Sequence, residues 1–351
     1  MLNQENLIAL GVATAKANKN APVAYSYDGK DYSYDQVQTT LRNELNDLAG
    51  SHSLFRENKN KIFSLIEEVV SEVLPNKVAA LYEGMAEVKT FGQGDKPIFR
   101  RRVNARTRAK QFVTRVGLEG VYEVFKLGGS ESFEVPTSAV GGAAQIGLEE
   151  FLDGRVDFAE LLQIVMDGIE ETIQLEVGQA LIAGMNQLPA ANKVEWAGFD
   201  ETEFDRLLRI VDSYGTGKAT IYCDFMFAAK IMPAEAKMTE AMKNTLWEKG
   251  YFMNYKGHTV VVLPNGVADE TNSSLVNDPS YCWMIPVGSA GEAPVRIAFE
   301  SETLVDERKN ADWSRDVQVY KKVGVAALLT SDVCVYHDTS ISKDLIPGVQ
   351  G

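Results

Sequence analysis

"VDFAELLQIVMDGIEETIQLEVGQALIAG", Val156 to Gly184, is the strongest helical stretch in the chain. Leu161, Leu162, Ile164, Val165, Ile169, Ile173, Val177, Ala180 and Leu181 recur at the spacing that gathers apolar side chains on one helix face. Asp157 and Glu160 have the spacing of a capping box, and Val156 and Leu161 that of a hydrophobic staple. Gly184 is a natural stop. A helix from Phe158 to Gly184 would run about 40 Å at ~1.5 Å per residue. That length suits a spine on which several elements pack. The expected core positions of the spine are Leu161, Leu162, Val165, Ile169, Ile173 and Val177.

Upstream lies "FRRRVNARTRAK", Phe99 to Lys110. Read with period two, one face carries Arg100, Arg102, Arg106, Arg108 and Lys110, and the other Phe99, Val103, Ala105, Thr107 and Ala109. Alternation of this kind marks a strand. Turn-rich "GQGDKP" before it and "GLEG" after it make residues 85–135 an extended β-hairpin excursion. Its apolar residues are too small to anchor it, so the expectation is a ribbon either mobile or laid across a partner.

Charge narrows the partner. The chain holds 49 Asp and Glu against 35 Lys and Arg, a net charge of −14. Lys96 to Lys126 alone carries +7, which leaves −21 for the remainder. A solvated charged loop and a nucleic-acid contact are the bland and the obvious readings. The acidic total disfavours a nucleic-acid coat, and no aromatics interleave with the arginines for base stacking. The complementary target is the acidic body of another copy, contacted through Arg100, Arg101, Arg102, Arg106, Arg108, Lys110 and Arg115.

Around these segments, residues 1–84 read as helical, with "KIFSLIEEVVSEVL" stopped by Pro75 and "NKVAALYEGM" as a separate short piece. These helices alone would make a thin core. Residues 133–153 are small and turn-rich. Residues 195–335 read as an α/β domain: helices at "DETEFDRLLRIVDSYG" and "MTEAMKNTLWEKG", strands at "KATIYCD", "HTVVVLP", "YCWMIP" and "VRIAFES", and two strands or a strand pair in "DVQVYKKVGVAALLTSDVCVYH".

No constellation for chemistry stands out. Cys223, Cys282 and Cys334 are odd in number, widely spaced and set in apolar strand candidates, as expected of core thiols in a reducing compartment. His52, His258 and His337 have no metal-ligand spacing. "GTGKA", Gly215 to Ala219, lacks the first glycine and the Ser or Thr of a phosphate loop and reads as a turn. The adjacent acidic pairs Glu67–Glu68, Glu149–Glu150 and Glu170–Glu171 face different directions on a helix. No apolar run reaches the ~18–20 residues of a membrane span, and "MLNQENLIAL" is not a secretory signal. The expectation is a soluble intracellular protein, not an enzyme, with no catalytic residue, cofactor or metal.

The order of parts, together with "FEVPTSAVGGAAQIGLEEFLD" leading into the long helix, resembles the major capsid protein of tailed bacteriophages, the Hong Kong 97 fold, over roughly residues 60–338. The resemblance implies an α+β chain. Residues 1–84 would be an N-terminal arm and 85–135 an extended loop over a neighbour. Residues 136–194 would be a peripheral domain with the spine helix, 195–294 an axial α/β domain, and 295–351 the return strands and tail. It implies hexamers and pentamers of the chain closing an icosahedral shell around double-stranded DNA, which is held without sequence-specific contacts. Scaffold, portal and decoration proteins are further partners it allows, with no membrane. The location it implies is the virion capsid, assembled in the host cytoplasm. It also implies a retained N-terminal arm and a separate scaffold or none. Lys89, Lys96 and Lys110 lie near the loop, but no cross-link is predicted. Two alternatives stay open: an encapsulin-type compartment, and a soluble α/β enzyme with a flexible basic loop.

Overall fold

The computed structural model describes residues 3–16, 25–27, 30–49, 51–101, 131–146, 158–232, 238–287, 293–309 and 315–345. The chain opens with α1 (Gln4–Lys16), the small pair β1 (Ser26–Tyr27) and β2 (Lys30–Asp31), α2 (Tyr34–Ala49) and α3 (His52–Leu81). β3 (Ala86–Phe91), β4 (Ile98–Arg101), β5 (Glu131–Glu134) and β6 (Ser138–Ile146) lead to α4 (Phe158–Gly184). The second half holds β7 (Lys193–Trp196), α5 (Glu201–Asp212), β8 (Thr220–Cys223), α6 (Phe225–Ala228) and α7 (Glu240–Lys249). It continues with β9 (Asn254–Tyr255), β10 (His258–Val262) and β11 (Tyr281–Ile285). Two long strands, β12 (Val295–Lys309) and β13 (Arg315–Ala327), and β14 (Cys334–Asp338) close it. The mixture of helices and sheets is the α+β class that the sequence suggests.

Two sheets organise the molecule. A four-stranded sheet runs β3–β12–β13–β6, with β3 parallel to β12 and the other pairs antiparallel. α3 and α4 pack on it, and α1 and α2 pack on α3, forming one core with Leu10, Val37, Val69, Ile173, Val177, Ile297 and Val323. A six-stranded sheet runs β7–β14–β11–β8–β10–β9. Its core gathers Phe204, Leu207 and Val211 of α5 with Ile221, Met284 and Tyr336. Asp200 caps α5 by accepting from the backbone N–H groups of Thr202 and Glu203.

Three local expectations are corrected. α3 does not stop at Pro75 but runs through it to Leu81. An interior proline costs about 3 kcal/mol or more. Burying Leu74 and Val78 contributes roughly 1.5–3 kcal/mol each, and with Tyr82 they are fully inside the first core. β3, read with the loop, is an edge strand of the four-stranded sheet in register from Ala86↔Val295 to Phe91↔Glu300. The turn-like "SAVGGAAQI" is strand β6, paired with β13 from Ser138↔Val323 to Ile146↔Arg315. Gly141 serves close approach: a Cβ there would lie 2.5 Å from the Val319 carbonyl oxygen. Of the two readings of the chain's end, two separate strands holds: β14 joins β7 and β11 in the second sheet, while β13 stays in the first.

Candidate assembly surface

The structure describes the first residues of the basic segment. β4 pairs antiparallel with β5, placing Phe99 opposite Phe133 and Arg100 opposite Ser132. Ile98 and Arg100 are exposed and Phe99 is fully buried, so the period-two alternation holds across these three residues. The expected lack of an anchor does not hold at this base. Phe99 stacks on Phe133 at 6.2 Å between centroids and meets Phe91 edge-on at 5.6 Å. Val135 and Ala298 complete the cluster. Offset and edge-on aromatic pairs each add roughly 0.5–1.5 kcal/mol beyond their burial.

Charge closes around the same ring. The Lys89 ammonium stands 5.0 Å from the Phe99 centroid and the Arg296 guanidinium 5.9 Å. Arg296 is 1% exposed, pairs with Glu87 at 2.9 Å and donates to the Ala293 carbonyl at 2.6 Å. Lys96 bridges to Glu134 at 3.0 Å. The Gly94 N–H donates to Glu300, which also pairs with Lys322. The turn before β4, the two strands and the sheet are thus tied together. Arg101 lies on β4 but its side chain is outside the description, and Arg102, Arg106, Arg108, Lys110 and Arg115 lie outside the described residues.

On α4, Ile169, Ile173 and Val177 are buried and Val165 is half-buried. The helix is described from Phe158, but the side chains of Leu161 and Leu162 are not. Ile164 is 63% exposed, so the apolar series is broader than the packed face. Lys77 of α3 reaches Asp167 at 3.0 Å and Glu170 at 2.6 Å, joining the two long helices.

The residues weighed for chemistry have structural roles. Cys223 and Cys282 lie opposite each other across β8 and β11, and all three cysteines are buried. Burial pushes the Cys282 thiol well up and the Cys334 thiol to about 12. His258 is buried against the Ala219 carbonyl, 3.6 Å from Asp212, and His337 stacks on Tyr281 at 4.4 Å. "GTGKA" is the turn from α5 into β8. Among the described residues no group of three or more His, Cys, Asp and Glu is placed to hold a metal ion. No described helix is long and apolar enough to cross a membrane.

Sequence reasoning missed Phe133, Arg296 and Lys321. The alternation in "VRIAFES" could have placed Arg296 on a face, but nothing local marked its partner Glu87.

Known proteins resemble this chain as follows. A family model described as "SPbeta prophage-derived putative capsid protein YonB" matches residues 9–332. No curated protein sequence matches. Among solved structures, the virus-like particle from Pyrococcus furiosus aligns at 12% identity and TM-score 0.45, covering 79% of this chain and 99% of its own. The acid-stable capsid of Helicobacter pylori bacteriophage KHP30 aligns at 14% and 0.47, covering 73% and 90%. The holo-SrpI encapsulin complex from Synechococcus elongatus aligns at 10% and 0.42, covering 76% and 88%. At such scores the assignment rests on the family match, which takes in both long helices and every strand but β14. A capsid family is structural rather than enzymatic, and the enzyme alternative falls with it. The chain belongs to the YonB family of prophage-derived capsid proteins.

Proposed function

We propose that this chain is the major shell subunit of a tailed phage of the Hong Kong 97 type. Hexamers and pentamers of it close an icosahedral shell around double-stranded DNA, in a capsid assembled in the host cytoplasm. Residues 1–84 form the N-terminal arm and 85–135 the extended loop, save that strand β3 within it belongs to the four-stranded sheet. Residues 136–194 and 295–351 contribute the peripheral domain and 195–294 the axial domain, whose six-stranded sheet also takes in β7 and β14. The basic segment docks on a neighbouring subunit through Arg100, Arg101, Arg102, Arg106, Arg108, Lys110 and Arg115.

The observation that supports this reading is the base of the basic segment. Phe99 and Phe133 clamp it to the core sheet, while Ile98 and Arg100 face outward with no acidic residue opposite Arg100 in the strand register. Such an arrangement holds the origin of the segment firmly and leaves its charge for another molecule. An acidic body of −21 offers the complement. The same negative charge suits a container that must release DNA, since a positive lining would retain it.

The test is sedimentation velocity on the purified chain, with negative-stain imaging of the fastest fraction, for wild type and for Arg100→Glu/Arg102→Glu/Arg106→Glu. Closed shells from wild type and folded, unassembled subunits from the triple variant are expected. A wild type that stays a small oligomer, including when co-expressed with its neighbouring phage genes, overturns the shell reading. A triple variant that assembles normally overturns the docking role alone.

A further inference from the structure

A cavity of about 60 Å³ lies where α4 meets the six-stranded sheet. Space of that size holds a few waters or a single ion, not an organic ligand. α4 forms one wall, and the segments that follow β8 and β10 and lead into β11 form the others. Two carboxylates, Asp224 and Asp278, line it, and none of the described residues around it is basic. Each carboxylate has a structural duty on one oxygen. Asp224 Oδ1 accepts from the Met226 N–H, and Asp278 Oδ1 accepts from the N–H and hydroxyl of Ser280. Neither charge meets a cation among the described contacts.

Two amide oxygens lack donors beside these carboxylates. Gln174 of α4 is 8% exposed and lines the cavity. Its Nε2 reaches Glu170 at 3.4 Å, while its side-chain oxygen has no donor among the described residues. A buried acceptor in that position calls for a water or an ion. One turn on, Gly178 stands on the same helix face. Asn277 Oδ1 comes so close to it that a Cβ on Gly178 would collide with that oxygen. It too has no donor among the described residues. Asn265 draws the set together. Its Nδ2 donates to Asp224 Oδ2 and to the Asn277 carbonyl, both at 3.0 Å, and its Oδ1 accepts from the Asn277 N–H at 2.9 Å.

Two unpaired carboxylates select a cation, and carboxylate and amide oxygens are hard donors rather than the imidazole and thiolate sets of softer metals. Mg²⁺ demands near-ideal octahedral geometry, whereas Ca²⁺ accepts roughly six to eight oxygens in flexible arrangements. A carboxylate oxygen that already accepts one N–H keeps a second lone pair, so Asp224 Oδ2 remains a donor to metal. We propose that Gln174, Asn277, Asp224 and Asp278 bind Ca²⁺ through their side-chain oxygens, with water completing the shell. The ion ties the long helix of the first core to the loops of the second sheet. This site is independent of the shell reading.

The test is isothermal titration calorimetry with Ca²⁺, and thermal melts in Ca²⁺ and in chelator, on the full chain. It compares wild type, Asp278→Asn, Gln174→Met and Asp269→Asn. Asp278→Asn keeps an oxygen for Ser280 and removes the charge, and Gln174→Met keeps the length and removes the oxygen. Asp269 is an exposed acid of the same loop outside the cavity and serves as control. One Ca²⁺ per wild-type chain is expected, raising the melt by about 5 °C at a concentration about a hundredfold above Kd. Asp278→Asn and Gln174→Met should each weaken binding by about tenfold or more, and Asp269→Asn by less than about twofold. In chelator the two site variants should melt no lower than wild type, since each removes a polar group that is unsatisfied without the ion. No heat and no melt shift for wild type at about 10 mM Ca²⁺ would overturn the site. Equal losses in Asp269→Asn and Asp278→Asn would also overturn it, by showing diffuse binding to acidic surface.

Discussion

Lys321 illustrates how one residue can work against its own fold. It is 1% exposed on β13, where its ammonium donates to the Thr303 hydroxyl at 3.0 Å and the Ser71 hydroxyl at 3.2 Å. Those hydroxyls also bond each other at 2.8 Å, beside the break in β12–β13 register between Phe299 and Thr303. Burial pulls the Lys321 pKa down to about 8, with the Glu300 charge opposing it. A folded value below the ordinary 10.5 means the unfolded chain binds more protons between pH 8 and 10.5, so stability rises with pH across that window. Below pH 8 the amine is charged in both states and the fold carries the full penalty. Lys321→Met should therefore raise thermal stability at pH 7 by about 1–3 kcal/mol. The gain should fade above pH 10.5, as melts at the two pH values would show. A variant equally stabilised at both would place the effect in packing rather than charge.

The informative element is α4. Its sequence carries apolar residues over a wide arc, and the fold uses part of it: Met166, Ile169, Ile173, Val177 and Leu181 face the core while Ile164 faces out. Ile169→Asp should unfold the subunit, since an unpaired buried carboxylate costs several kcal/mol. Ile164→Asp should leave the melt within ~0.5 kcal/mol, as surface changes do. Limited proteolysis of the two variants separates them, and similar resistance in both would mean the packed face is misassigned. α3 shows the opposite relation between pattern and outcome. Its proline was legible, but the helix passes through it because Leu74, Val78 and Tyr82 bind that turn into the core.

The contact proposed for the basic segment is a property of the assembled molecule and acts through exposed charge, which salt screens from a Debye length of about 30 Å at 0.01 M to about 3 Å at 1 M. Assembly by wild type should fall as salt rises. Light scattering across a salt series gives the answer. Salt-independent assembly by wild type would contradict the electrostatic role of the arginines.

What the sequence by itself determined is local. The bounds of α4 follow from apolar spacing, the ends of α5 and α7 from Asp200 and Gly250, and the exposed–buried–exposed order of Ile98, Phe99 and Arg100 from strand alternation. These depend on neighbours a few residues apart, whose geometry the backbone period imposes. Tertiary structure alone decided which strands share a sheet. β3 pairs with β12 and β14 sits between β7 and β11 across separations that no local pattern encodes. It decided that glycine-rich β6 is a strand, because β13 approaches Gly141 too closely for any side chain. It decided that Phe99 is an anchor, because its partners Phe91, Phe133, Val135 and Ala298 come from three separate segments. Burial is a property of the assembled surface, and a residue's own sequence neighbourhood does not contain it.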